Sequence, residues 1–152
     1  MIPAVLASIP SPPINDFHIG PLRVTFYGIF IMTGVVIAWL VTRNRFAARG
    51  GDVEIAERIV IRVVIFGFIG ARIGYVMTHL SRFGDDWWKV IAVWEGGLAL
   101  YGGLTAGAIA MYVYAKKYGA SFPDFLDSVA PAVPLAQAMG RLGNYFNQEL
   151  FG

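Results

Sequence analysis

Three apolar stretches, each long enough to cross a membrane, constrain this chain more than any other feature. Residues 22–41 (20 residues) carry one charge, Arg23, at their edge; residues 59–77 (19) carry Arg62 and Arg72; residues 98–115 (18) carry none. A helix rises about 1.5 Å per residue, so each can span a hydrocarbon core of about 30 Å. A fourth stretch, 125–139, has 15 residues and contains Asp127, Pro131 and Pro134; it reads as a kinked helix carried across inside a bundle. The expected fold is all-α: a multi-pass transmembrane helix bundle with three spans and a kinked fourth, in one domain over 1–152. Charged residues make up only 14% of the chain and hydrophobic ones 57%. A soluble domain is about 25% charged, so these numbers argue against one, and they exclude a disordered chain, which is poorer in apolar residues.

Other classes fall away on single counts. The chain has no Cys, which removes disulfide scaffolds, thiolate metal sites and a catalytic Cys. A net charge of +2 without a dense Lys/Arg cluster gives no reason to expect a nucleic-acid partner. No nucleophile-elbow serine, phosphate-binding loop, paired-histidine zinc motif or acidic metal cluster occurs, and no cofactor or metal is expected. The first 17 residues lack a basic start and are broken by Pro3, Pro10, Pro12 and Pro13, so they read as a tail rather than a signal peptide.

Basic residues in the loops set the orientation. Arg43, Arg45, Arg49 and Arg58 lie between the first two stretches and Lys116 and Lys117 follow the third, against Arg82 and Lys89 between the second and third. The richer loops belong inside, so the N-terminus is expected outside. Tyr27 and Arg72 would then lie about 7–8 Å below the outer boundary and Tyr101 about 5 Å below it. Arg141, Asn144, Asn147 and Glu149 would lie at the outer end of the fourth stretch. Four segments would thus converge at the level of lipid phosphates and esters. An arginine inside a span is costly and is normally paired or functional. Arg62 is near an inner end and can snorkel. Arg72 sits within G-A-R-I-G at 70–74, and its guanidinium could grip a phosphate diester in bidentate fashion. That pattern and G-L-T-A-G at 103–107 also permit close helix packing with no further role.

Residues 140–152, G-R-L-G-N-Y-F-N-Q-E-L-F-G, place a cation, an anion and two amides among aromatics. Read as a glycine-rich loop, this segment lets backbone N–H groups approach a ligand. Arg141 would hold a phosphate, Asn144 and Asn147 would orient hydroxyl or ester oxygens, and Glu149 would accept a proton or pair with an arginine. An interfacial loop anchored by aromatics is the alternative. Trp94, Glu95, Gly96 and Gly97 form a second polar, glycine-rich approach to a span, read as a turn in a tryptophan belt with Trp87 and Trp88. His18 and His79 are isolated and are not expected to catalyse.

Residues 140–152 resemble the signature of the bacterial prolipoprotein diacylglyceryl transferases, G-R-x-G-N-F-x-N-x-E-x-x-G, with Tyr145 in place of Phe. F-H-I-G-P at 17–21, Tyr27-Gly28, G-A-R-I-G-Y at 70–75, W-E-G-G at 94–97 and G-G-L at 102–104 are also similar to the family. The resemblance implies a multi-pass enzyme of the bacterial plasma (inner) membrane with its active face outward. Such an enzyme moves a diacylglyceryl group from phosphatidylglycerol to the lipobox cysteine of an exported preprotein and releases glycerol phosphate. By the same resemblance Arg141, Asn144, Glu149, Gly152 and Tyr27 fall on important positions. Tyr101 stands where many relatives have His, and a phenol is a poor replacement for an imidazole base. The family continues past the signature through further spans, so residues 1–152 read as an N-terminal piece, inactive alone. The rival reading from the residues is a non-enzymatic membrane bundle, such as a small transporter or channel subunit.

Overall fold

The computed structural model describes residues 12–20, 22–84, 86–93 and 96–147. A β-hairpin, β1 (Asp16–Ile19) and β2 (Leu22–Thr25), precedes α1 (Phe26–Ala48), α2 (Val53–Thr78), α3 (Leu100–Lys117), α4 (Phe122–Val129) and α5 (Ala132–Asn147). Two short 3-10 turns, Leu80–Arg82 and Trp87–Val90, lie between α2 and α3. Contacts divide the chain into two units: Met1–Val41 with Val129–Gly152, and Thr42–Ser128.

In the first unit the hairpin pairs antiparallel, Asp16 opposite Thr25 and Ile19 opposite Leu22, with Gly20 at φ +60° in its turn. The first apolar stretch therefore begins as a strand and becomes a helix four residues later than expected. The reason is local. Val24 and Thr25 are β-branched, and the Thr25 hydroxyl accepts a 3.0 Å bond from the Gly28 N–H, capping α1 at its first turn. Small residues then let α5 lie antiparallel against α1. A Cβ on Gly34 would come 3.2 Å from the Ala136 carbonyl and 3.3 Å from the Met139 Cβ, and one on Gly143 would come 3.0 Å from the Tyr27 ring. Phe146 stacks on both Phe26 and Phe30, centroids 5.1 and 5.2 Å apart.

The second unit is organised by α2 and α3. Asp52 caps α2, its carboxylate accepting from the N–H groups of Glu54 at 2.7 Å and Ile55 at 3.3 Å. The helix starts at Val53, ahead of the apolar stretch, because this cap and the positive φ of Gly50 fix the turn before it. α3 runs back along α2 on a seam of glycines. A Cβ on Gly70 would overlap Ala106 and come 2.6 Å from the Gly102 carbonyl, whereas one on Gly67 would meet only ordinary contact, 3.5 Å from the Gly103 carbonyl. The Ala99 N–H donates to the Ala71 carbonyl at 2.8 Å and ties the start of α3 to the middle of α2. Elsewhere in the unit Phe125 is wholly buried, edge-on to Phe46 at 5.3 Å.

The fold is mostly helical, and two helices are long and apolar enough to cross a membrane: α1 (mean hydropathy 1.7) and α2 (2.0). The expectation of three spans and a kinked fourth is met only in part. The 18 residues of α3 include Lys116, Lys117, three tyrosines and three glycines, which dilute its apolar character. The fourth stretch is two helices, α4 and α5, rather than one kinked helix. Pro131 has no N–H to donate and disfavours helical geometry at Ala130. Most apolar side chains of α1 to α3 point outward, among them Met32, Ile61, Ile65, Phe68, Ile73 and Ile109. Such a surface suits lipid rather than water.

The glycine seam has a measurable consequence. Gly70→Ala should destabilise the protein by about 1–3 kcal/mol, because the new methyl meets backbone that cannot yield. Gly67→Ala should be neutral or stabilising by up to about 1 kcal/mol through helix propensity. Thermal unfolding of both variants in detergent checks this; equal behaviour would mean that the seam is not the tight contact described.

Candidate functional site

The segment expected as a glycine-rich loop at 140–152 is helical as far as it is described. Gly140, Arg141, Gly143, Asn144, Tyr145, Phe146 and Asn147 all belong to α5. This corrects the loop reading, and the cause is packing. Gly143 is buried against Tyr27 and Phe30, and Phe146 fills the space between Phe26 and Phe30. Here glycine serves close helix approach, not an irregular backbone. Glu149 and Gly152 lie outside the described residues, as do Trp94 and Glu95.

The helix sorts the signature into two faces. At about 100° per residue, Ala136, Met139, Gly140, Gly143 and Phe146 share the face turned to α1. Arg141 lies about 160° round the helix from Gly143, with Asn144 and Gln137 beside it on the same outer face. Gln137, Arg141 and Asn144 follow an i, i+4, i+7 spacing and form a polar stripe. Arg141 and Gln137 are exposed and Asn144 is half-buried. Among the described residues no hydrogen bond or ion pair engages Arg141. Gln137 was not singled out from the sequence. It sits four residues before Arg141, a spacing that becomes informative only once 140–147 is known to be helical.

Tyr27 is brought to the signature helix, but to the Gly143 face. Asn147, half-buried, lies toward that same face about 40° from Gly143. An open apolar groove of about 580 Å³ runs along α1, lined by Thr25, Gly28, Ile29, Met32, Thr33 and Val36.

The other two site residues belong to the second unit. Tyr101 stands on the first turn of α3 and is 83% exposed, with no hydrogen-bond partner among the described residues. Arg72, expected to grip a lipid phosphate, is 8% exposed and has all five N–H groups engaged by backbone carbonyls of 89–97. Of the four residues expected to converge, Tyr27 and Arg141 fall in one unit and Arg72 and Tyr101 in the other.

Apolar helices with outward-facing aliphatic side chains and a glycine seam define a membrane-type helical protein, in which Arg141 stands on an amide-bearing helix with no partner among the described residues. The chain belongs to the prolipoprotein diacylglyceryl transferase family, whose model matches residues 15–152. Among curated relatives, it is 42% identical to the phosphatidylglycerol–prolipoprotein diacylglyceryl transferase of Cutibacterium acnes, over 99% of this chain and 52% of that protein. Those of Mycobacteroides abscessus and Rhodococcus jostii are 41% and 42% identical over 97% of this chain, and 44% and 42% of their own lengths. The chain therefore spans about half the length of the relatives it matches.

The absence of cysteine offers a direct check on how α5 meets α1. The Gly34 and Met139 Cβ positions would be 3.3 Å apart, close to the disulfide range of about 3.5–4.5 Å. The double variant Gly34→Cys, Met139→Cys should cross-link readily on mild oxidation, seen as a gel shift after cleavage between the helices. Gly34→Cys with Arg141→Cys should not, since position 141 faces the other way.

Proposed function

We propose that the full-length protein transfers a diacylglyceryl group from phosphatidylglycerol to the lipobox cysteine thiol of an exported preprotein, releasing glycerol phosphate. The observation that carries this reading is Arg141, exposed and without a partner among the described residues, between Gln137 and Asn144 on the helix that bears the family signature. The names of the relatives supply both substrates. The protein works in the bacterial inner membrane, N-terminus and active face outward, and crosses it with α1, α2 and α3 and a fourth crossing contributed by α4 and α5.

The chemistry is a displacement. The substrate thiol supplies the nucleophile, so the enzyme needs no cysteine of its own. As the sulfur bonds to the glycerol carbon next to the phosphate oxygen, that carbon–oxygen bond breaks, and the thiol proton passes to a base. The departing glycerol phosphate gains negative charge, which the Arg141 guanidinium stabilises through paired N–H donors. Asn144 and Gln137 hold the remaining phosphate and glycerol oxygens. Tyr27 of α1 and Asn147, on the α1-facing side of α5, orient the lipid, whose acyl chains run along apolar helix surface. Glu149 is assigned the thiol proton or the orientation of Arg141, Gly152 close approach of the substrate, and the Tyr101 hydroxyl contact with a reacting group.

A lipobox peptide incubated with the full-length protein and phosphatidylglycerol should gain the mass of one diacylglyceryl group. Arg141→Ala should lower the rate by on the order of 10²–10³-fold, and Arg141→Lys should recover little, since an ammonium lacks the planar fork. An unmodified peptide, or full turnover by Arg141→Ala, would refute the assignment.

A further inference from the structure

Arg72 is held in a way that a phosphate ligand is not. Its Nε donates to the Val90 carbonyl at 2.8 Å, Nη1 to Gly96 at 2.6 Å and Gly97 at 2.9 Å, and Nη2 to Lys89 and to Ala92 at 3.2 Å. A guanidinium has five N–H donors and no acceptor; here each one has a carbonyl. The group also lies 5.6 Å from the Tyr75 ring centre and 5.9 Å from that of Phe83. A lipid phosphate could reach it only by displacing carbonyls that would then lack a donor at membrane depth.

The carbonyls belong to the 3-10 turn Trp87–Val90 and, after it, to Ala92, Gly96 and Gly97, none of which lies in a helix or strand. Gly96 and Gly97, both at φ +84°, take a conformation that other residues rarely adopt and carry the two carbonyls that meet Nη1. Gly97 also lies flush on the Tyr75 ring, so that a Cβ there would overlap it. The segment leads directly into α3, whose first turn presents Tyr101.

We propose that Arg72 is a positioning residue: it clamps segment 89–97 to α2 through five carbonyls, and so fixes the entry of α3 and the placement of the Tyr101 side chain, without itself binding lipid. The functional half of this inference rests on the transferase reading; the clamp does not. A lysine cannot replace it, because three donors at one point cannot reach carbonyls spread along nine residues.

The test uses the full-length protein in vesicles, as wild type, Arg72→Ala and Arg72→Lys, with two readouts. Amide hydrogen exchange should accelerate across 89–99 in both variants while α1 and α5 keep their protection. Transfer to a lipobox peptide should show kcat lowered on the order of 10- to 100-fold, KM for phosphatidylglycerol within about twofold of wild type, and no recovery by lysine. In case neither variant accumulates, a wild-type comparison suffices: exchange across 89–97 should be the same in phosphatidylglycerol and phosphatidylcholine vesicles. Protection that depends on phosphatidylglycerol, unchanged exchange in the variants, or a raised KM with intact kcat and rescue by lysine would each overturn the clamp. A wild-type protein that modifies no peptide, but whose 89–99 segment loosens in the variants, would sink the transferase reading and still support the clamp.

Discussion

Backbone polar groups have no water to turn to in hydrocarbon, and the helices and the Arg72 clamp answer that constraint. Helices satisfy it within themselves, which is why long apolar runs become α1 and α2. Where the chain leaves helical geometry between α2 and α3, a side chain has to do what the helix did. Arg72 does so: one buried cation satisfies five carbonyls, and those carbonyls in turn solvate the cation. Neither partner would be stable without the other, because an unpaired buried charge and unpaired buried carbonyls are both costly.

The same solvent removes the hydrophobic drive for helices to associate, so contact has to come from shape. Glycines supply it in both units. Gly70 and Gly102 let α2 and α3 approach until backbone meets backbone, and Gly34 and Gly143 do so for α1 and α5. In α5 the consequence reaches the site. With glycines and Phe146 turned to α1, the remaining faces are free for Gln137, Arg141 and Asn144. One short sequence thus turns small and aromatic residues to one side and polar side chains to the other, and helical spacing keeps the two apart.

The relation of signature to structure also explains the residue types. Phe146 rather than Tyr145 makes the stacks with Phe26 and Phe30, so the substitution of Tyr for Phe at 145 leaves that contact intact. Tyr145 meets Phe146 edge-on at 5.5 Å. Membership of the transferase family fits an arginine among amides, unpaired among the described residues, better than it fits an ion path, which would need polar residues along a whole crossing.

By itself the sequence determined the class of the protein, the apolar helices and the family, because hydropathy, charge scarcity and a long specific motif are each local properties of the chain. Tertiary structure decided how those residues are placed and what they touch. Three glycines in thirteen residues suggest a loop until Tyr27 and Phe30 are seen against Gly143, and an arginine within a span suggests a ligand until its five carbonyl partners are counted. The first apolar stretch likewise gives no sign that its opening residues pair with 16–19 as a strand, since that register depends on a partner across a turn. In each case the deciding contact joins residues distant along the chain, and spacing along one segment cannot report on what the next segment brings against it.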